Sequence, residues 1–159
     1  MNHAGERTVD EILVRSDIDT IFRLASDIQR WPVILPHYRW VKDLGMQDGQ
    51  RKVEMAAKRG WIPVKWTSVY TVEPDRRRVD YKHIGGATKG MAVEWRLEVE
   101  GDAVRVTVIH EMTLTTPIVR TALGRWIVGK FFVHHIAGQT LQCIKRLAEE
   151  ATADQCVVQ

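Results

Sequence analysis

MAVEWRLEVEGDAVRVTVIHEM, residues 91–112, reads as two strands and the turn between them. Met91, Val93, Trp95, Leu97 and Val99 alternate with Ala92, Glu94, Arg96 and Glu98. Beyond Gly101 and Asp102 a second set, Val104, Val106, Val108, His110, Met112 and Leu114, keeps the same period of two. Successive side chains of a strand point to opposite faces, so the pattern predicts an antiparallel pair with one dry face and one wet face.

The same alternation extends back to Tyr38, broken by turn signals at Asp48-Gly49, Gly60, Pro74-Asp75 and Gly85-Gly86, and these divide residues 38–115 into about six strands. A further strand is expected over Glu6–Val14. Ser16 with Asp19 resembles a capping box that starts a short helix over Asp17–Ala25, and Asp27 opens a second short helix carrying Ile28, Trp31 and Ile34 that Pro36 ends. After Pro117 the period becomes helical. Leu123, Ile127, Phe131, His134 or His135, Leu141, Ile144 and Leu147 recur at steps of three and four as far as Glu150, which predicts one helix of roughly 45 Å. A half-dry sheet and a long amphipathic helix bury their apolar faces against each other, so the expected class is α+β: an antiparallel sheet of six to seven strands wrapped around a C-terminal helix, with two short helices after the first strand. Gly124, Gly129 and Gly138 lie within the long helix, either for close approach to the sheet or to leave room for a ligand. Thr152–Gln159 is small and polar and is expected to fray.

With 159 residues, 45% apolar and 27% charged, the chain suits a single domain (1–159, ordered core about 6–150) large enough to hold a cavity. Its net charge of +3 does not suggest nucleic-acid binding. Arg76, Arg77 and Arg78 form the densest basic cluster and read either as a solvated turn or as a docking patch for an acidic partner. Cys143 and Cys156 show no metal-ligand spacing, and the adjacent His134 and His135 point about 100° apart on a helix. No metal or cofactor is expected. With no apolar run long enough to span a bilayer and no export-signal pattern, the expected location is the cytoplasm.

The chemistry-bearing residues are polar groups in phase with dry faces. His110 is either a satisfied core histidine or an acid/base facing a cavity, and His83, in phase with Val79 and Tyr81, admits the same two readings. Ile62, Val64, Trp66, Ser68, Tyr70 and Val72 share one strand face, bringing an indole, a hydroxyl and a phenol inward, where an oxygen-rich ligand would satisfy them. Met46, Met55, Met91 and Met112 add adaptable surface. Six tryptophans against three phenylalanines and three tyrosines fit a wall with one dry side and one polar edge.

The run from Asp27 through Trp31, Pro32 and Pro36 to Tyr38, the segment WIPVKWTS at 61–68, Met91 with Trp95, and HEMTL at 110–114 resemble the helix-grip superfamily. It is the SRPBCC or Bet v 1-like group of START-like lipid-binding domains, polyketide cyclase/dehydrases (aromatase/cyclases) and ubiquinone-binding chaperones. The resemblance implies a pocket lined by Trp31, Tyr38, Trp66, Ser68, Trp95 and His110, with Met55, Tyr81, His83, Met91, Met112, Phe131 and His135 also in contact with ligand. It implies cyclisation of a poly-β-keto chain, with His110 as acid/base, Tyr70 and Tyr38 as donors and Ser68 positioning. A non-catalytic carrier of lipid or isoprenoid quinone is the alternative. Where aromatase/cyclases carry a pocket arginine two residues beyond the serine, this chain has Tyr70, with no nearby arginine expected in that phase. An acyl carrier protein as partner and a homodimer are both compatible with the resemblance; stable membrane insertion is not expected.

Overall fold

The strands are β1 (Glu6–Val14), β2 (Tyr38–Gln47), β3 (Gln50–Arg59), β4 (Ile62–Glu73), β5 (Arg78–Gly86), β6 (Ala92–Glu100) and β7 (Ala103–Met112). The helices are α1 (Ile18–Ser26), α2 (Trp31–Ile34), preceded by a 3₁₀ turn at Ile28–Arg30, and α3 (His134–Val157). This is a computed structural model, and it describes residues 6–86, 88–112 and 133–157. The strands form one antiparallel sheet in the order β1-β7-β6-β5-β4-β3-β2, and the short helices carry the chain between its two edges. Together with α3 this is the helix-grip architecture. The β2–β3 turn is the tight hairpin that Asp48 and Gly49 predict, both with positive φ. None of the described helices is long and apolar enough to cross a membrane.

Four expectations change. The cap of α1 is Asp17 rather than Ser16: its carboxylate accepts from the Thr20 amide at 2.9 Å and the Thr20 hydroxyl at 2.6 Å. Ser16 instead bonds Thr152 at 2.7 Å, and the Arg15 amide donates to Glu149 at 3.0 Å. Those ties hold the C-terminal segment, so α3 continues to Val157 where fraying was expected from Thr152. The inner stripe of α3 is also rotated: Ile136, Ala137, Thr140, Leu141, Ile144 and Ala148 are buried, whereas His134 is exposed and His135 and Leu147 are half-buried. Finally, the inward set of β6 stops at Leu97, because Val99 is 67% exposed. At 24 residues the described helix is about 36 Å long. Gly124, Gly129, Phe131 and the earlier part of the expected helix lie outside the described residues. A side chain at Gly138 would meet nothing within 4 Å, which removes close packing as its reason.

Candidate functional site

Cross-strand register sets the site. Thr8 of β1 lies opposite His110 of β7, His110 opposite Val93 of β6, Val93 opposite Tyr81 of β5, Tyr81 opposite Tyr70 of β4, and Tyr70 opposite Arg51 of β3. Directly paired residues project to the same face, so this is one row across the inner surface of the sheet. His110 and Tyr81 flank Val93 and stand two strands apart, about 10 Å at the usual strand spacing. A second row, Val53, Ser68 and His83, runs parallel to it.

Between these rows and α3 lies a cavity of about 80 Å³. Its walls are aromatic on one side: Trp31 sits 5.0 Å from Tyr38 and 5.8 Å from Trp95 between ring centres, and Trp66 stacks on His83 at 5.7 Å. The Trp31 indole N–H donates to the Leu24 carbonyl at 3.0 Å, which fixes that ring and leaves its face to the cavity. Gly86 makes the aromatic side possible. With φ +88°, it lies where a Cβ would stand 2.4 Å from the Lys65 carbonyl and 2.7 Å from the Trp66 Cα. Val133 and, from α3, Ile136, Ala137 and Thr140 close the opposite side.

Two polar groups on this wall lack a partner among the described residues: the Tyr81 hydroxyl and His110 Nδ1. Burial pushes the Tyr81 and Tyr38 phenols above their ordinary range, so both remain neutral donors. Burial holds the His110 imidazole down to about 4 and that of His83 to about 3, so both are neutral at physiological pH. His83 Nδ1 is engaged by the Thr88 hydroxyl at 2.5 Å, which leaves His110 as the unengaged base. The Ser68 hydroxyl is fully buried and likewise unpartnered, just beyond the cavity lining.

Several residues of interest were not singled out by the sequence. Asp10 points inward from β1 and is 7% exposed. One of its carboxylate oxygens contacts His134 Nδ1 and the other has no partner among the described residues, and burial raises its pKa above the usual carboxylate value. On the other side, Thr140 donates to the Ile136 carbonyl at 2.8 Å, so it accepts from His37 Nε2 at 2.7 Å. An acid in β-strand phase was the available signal for Asp10. Thr88 and Thr140 gave none, since a hydroxyl near a turn or on a helix is ordinary.

Trp31, Tyr38, Met55, Trp66, Tyr81, His83, Met91, Trp95 and His110 all line the cavity. Met112 is buried outside the lining, and His135 faces a surface groove with Pro36, His37 and His134. Tyr70 is also outside, stacked on Tyr81 at 5.6 Å. The expected lack of an in-phase arginine is corrected: Arg51 is Tyr70's cross-strand neighbour, ion-paired with Asp43. A neighbouring strand supplies it, which single-strand phase could not reveal. Arg76, Arg77 and Arg78 each pair with carboxylates of the chain itself, at Glu73, Asp19, and Asp80 with Glu94.

Residues 14–130 match the model of a family described as polyketide cyclase / dehydrase and lipid transport. The chain belongs to this family. Among curated relatives, the actinorhodin polyketide synthase bifunctional cyclase/dehydratase of Streptomyces coelicolor is 24% identical over 114 residues; the match covers 70% of this chain and 36% of that protein, about a third of the relative's length. The Zhui aromatase/cyclase from Streptomyces sp. R1128 superposes with a TM-score of 0.79 at 18% identity, covering 93% of this chain and 96% of the other. A START superfamily protein from Mycobacterium smegmatis gives 0.66 at 14% identity, covering 89% and 98%. The polyketide cyclase / dehydrase family thus accounts for the helix-grip architecture, and a fold of this kind hosts both binders and catalysts.

Proposed function

We propose that the cavity binds a poly-β-keto chain, delivered on an acyl carrier protein in the cytoplasm, and folds it for an aldol-type cyclisation. The observation that carries the reading is the pair of unpartnered polar groups, Tyr81 hydroxyl and His110 Nδ1, set in an otherwise apolar, indole-walled cavity. Neutral His110 takes the proton from a carbon between two carbonyls, a site acidic enough for a weak base. The Tyr81 phenol donates to the enolate oxygen, and the Tyr38 phenol, hydrogen-bonded with Thr140 in this arrangement, turns to it when the chain enters. The enolate carbon then attacks a distal carbonyl of the same chain, a C–C bond forms, and the His110 imidazolium returns its proton to the new alkoxide. Tyr70, stacked behind Tyr81, holds that ring in place. The 80 Å³ present in this closed arrangement is below the roughly 300 Å³ of ordinary ligand pockets, so Met55 and Met91 change rotamer to admit the chain.

In a synthase reconstituted with its carrier protein, His110→Ala is expected to slow directed cyclisation by about 10²-fold or more and to shift product toward spontaneously closed rings. An unchanged product distribution would sink the mechanism. A second reading, a carrier of lipid or quinone without catalysis, is favoured by the methionine and indole character of the remaining wall. Native mass spectrometry showing co-purified lipid or quinone, with no turnover of a poly-β-keto substrate, would select it.

A further inference from the structure

Charge is distributed unevenly over the molecule. Three segments meet at the cavity end of the sheet: 28–42, with α2 and the start of β2; 55–66, with the β3–β4 turn; and 81–93, with the β5–β6 turn. The register places them together, since the Lys58 amide donates to the His37 carbonyl at 2.8 Å and Trp66 pairs with Gly86. These segments contain Arg30, Arg39, Lys42, Lys58, Arg59, Lys65, Lys82 and Lys89, and not one Asp or Glu. The remainder of the chain carries 15 Lys and Arg against 20 Asp and Glu. The three segments thus bring eight cations to the cavity end with no acid of their own.

The nearest acids of the flanking strands are already engaged: Glu54 by Lys42 and Lys65 at 3.7 and 3.9 Å, and Glu111 by Arg7 at 3.7 Å. Lys82 donates to the Gly90 carbonyl. Arg30, Lys58 and Lys89 are exposed and pair with no carboxylate among the described residues. At this same end stand the two most exposed large apolar side chains of the described chain, Trp61 at the tip of the β3–β4 turn, 89% exposed, and Val33 on α2, 85% exposed. Val64, which follows Trp61 by three residues on β4, lines the cavity.

We propose that this end docks on an anionic lipid bilayer, with Trp61 and Val33 seated in the headgroup region, so that an apolar molecule passes between bilayer and cavity. Indole at an interface with flanking cations is a combination suited to that surface, and cations near anionic lipid gain attraction that a neutral bilayer does not give. Two apolar tips on separate elements suit insertion into a fluid interface better than burial against one rigid partner. The inference holds whether the ligand is cyclised or only carried.

The test is co-sedimentation of the whole chain with phosphatidylcholine vesicles, with and without phosphatidylglycerol. Binding is expected only with the anionic lipid, falling as salt is raised. Lys58→Ala with Lys89→Ala should reduce partitioning roughly 30-fold, about fivefold for each charge, and Trp61→Ala about tenfold. Arg76→Ala, in a turn outside these segments, should change nothing. All four side chains are exposed, and circular dichroism checks that each variant is folded. Absence of wild-type binding at low salt, or binding indifferent to these substitutions, overturns the proposal. Binding to a purified acidic acyl carrier protein that is lost in the double variant, with vesicles ignored, would assign the face to a protein instead.

Discussion

The two ends of the inner sheet surface are built differently from the same strands. At one end β7 contributes Val104 and Val106, β6 Leu97, β5 Val79 and β1 Val14, and these pack with Ile21, Ile144 and Ala148 at 4% exposure or less. A few residues along, the same strands present His110, Trp95, Tyr81 and His83, with β4 adding Trp66 and Ser68. The aliphatic end needs no partner beyond itself. The other buries hydroxyls and an imidazole that find no partner among the described residues, and burying such groups unpaired costs stability. The period of two is identical at both ends; what locates the site is the change of residue type along an unchanged period.

Acid should separate the ends most strongly. His37 and His110 are held by burial to about 4 and His83 to about 3, below the 6.5 of the unfolded chain. The unfolded state takes up these protons first as pH falls, so stability is full above about 6.5 and is lost progressively toward about 4. The loss is on the order of 3 kcal/mol for His110 alone. Urea unfolding from about pH 7 to about pH 4 measures it, and His110→Gln should make the profile shallower. A flat wild-type profile would mean these imidazoles are not buried neutral.

The aliphatic end is tested by Ile144→Ala, with Ile144 fully buried. Chemical unfolding should show a loss of about 3 kcal/mol, with ligand affinity in the remaining folded protein unchanged. Gly86→Ala probes the seam of the aromatic end. Its Cβ would collide with the β4 backbone at Lys65 and Trp66, so stability should drop by about 2 kcal/mol and the Trp66 wall should shift, visible as altered near-UV circular dichroism. Normal stability with an unaltered spectrum would show that the close approach is not required.

Much of this contrast was legible in the sequence. The β6–β7 alternation, the tight turn at Asp48-Gly49 and the inward phase of His110, Tyr81 and Trp95 follow from residue order alone. The phase of α3 did not, because its inner stripe includes Ala137, Thr140 and Ala148, whose small or polar side chains give little hydrophobic signal although small volume is what lets the helix lie close to the sheet. Arg51 beside Tyr70, and Asp10 beside His134, depend on which residue faces which across a register or a helix start. Those are tertiary facts that no single-strand period contains. Ser16 and Asp17 are adjacent capping residues, and the choice between them was decided 136 residues away, where Thr152 takes the Ser16 hydroxyl.

The smallest predicted effect bears on the central claim most directly. Tyr81→Phe removes one buried, unpartnered hydroxyl and leaves the ring that fills the wall. If that hydroxyl is kept for a ligand, the substitution should raise unfolding stability by about 1 kcal/mol while weakening calorimetric binding of a hydroxylated anthraquinone, a flat oxygen-bearing probe, by about tenfold. A more stable protein that binds the probe as tightly as the wild type, or one that loses stability together with affinity, would contradict the assignment of Tyr81 and its cavity to ligand binding.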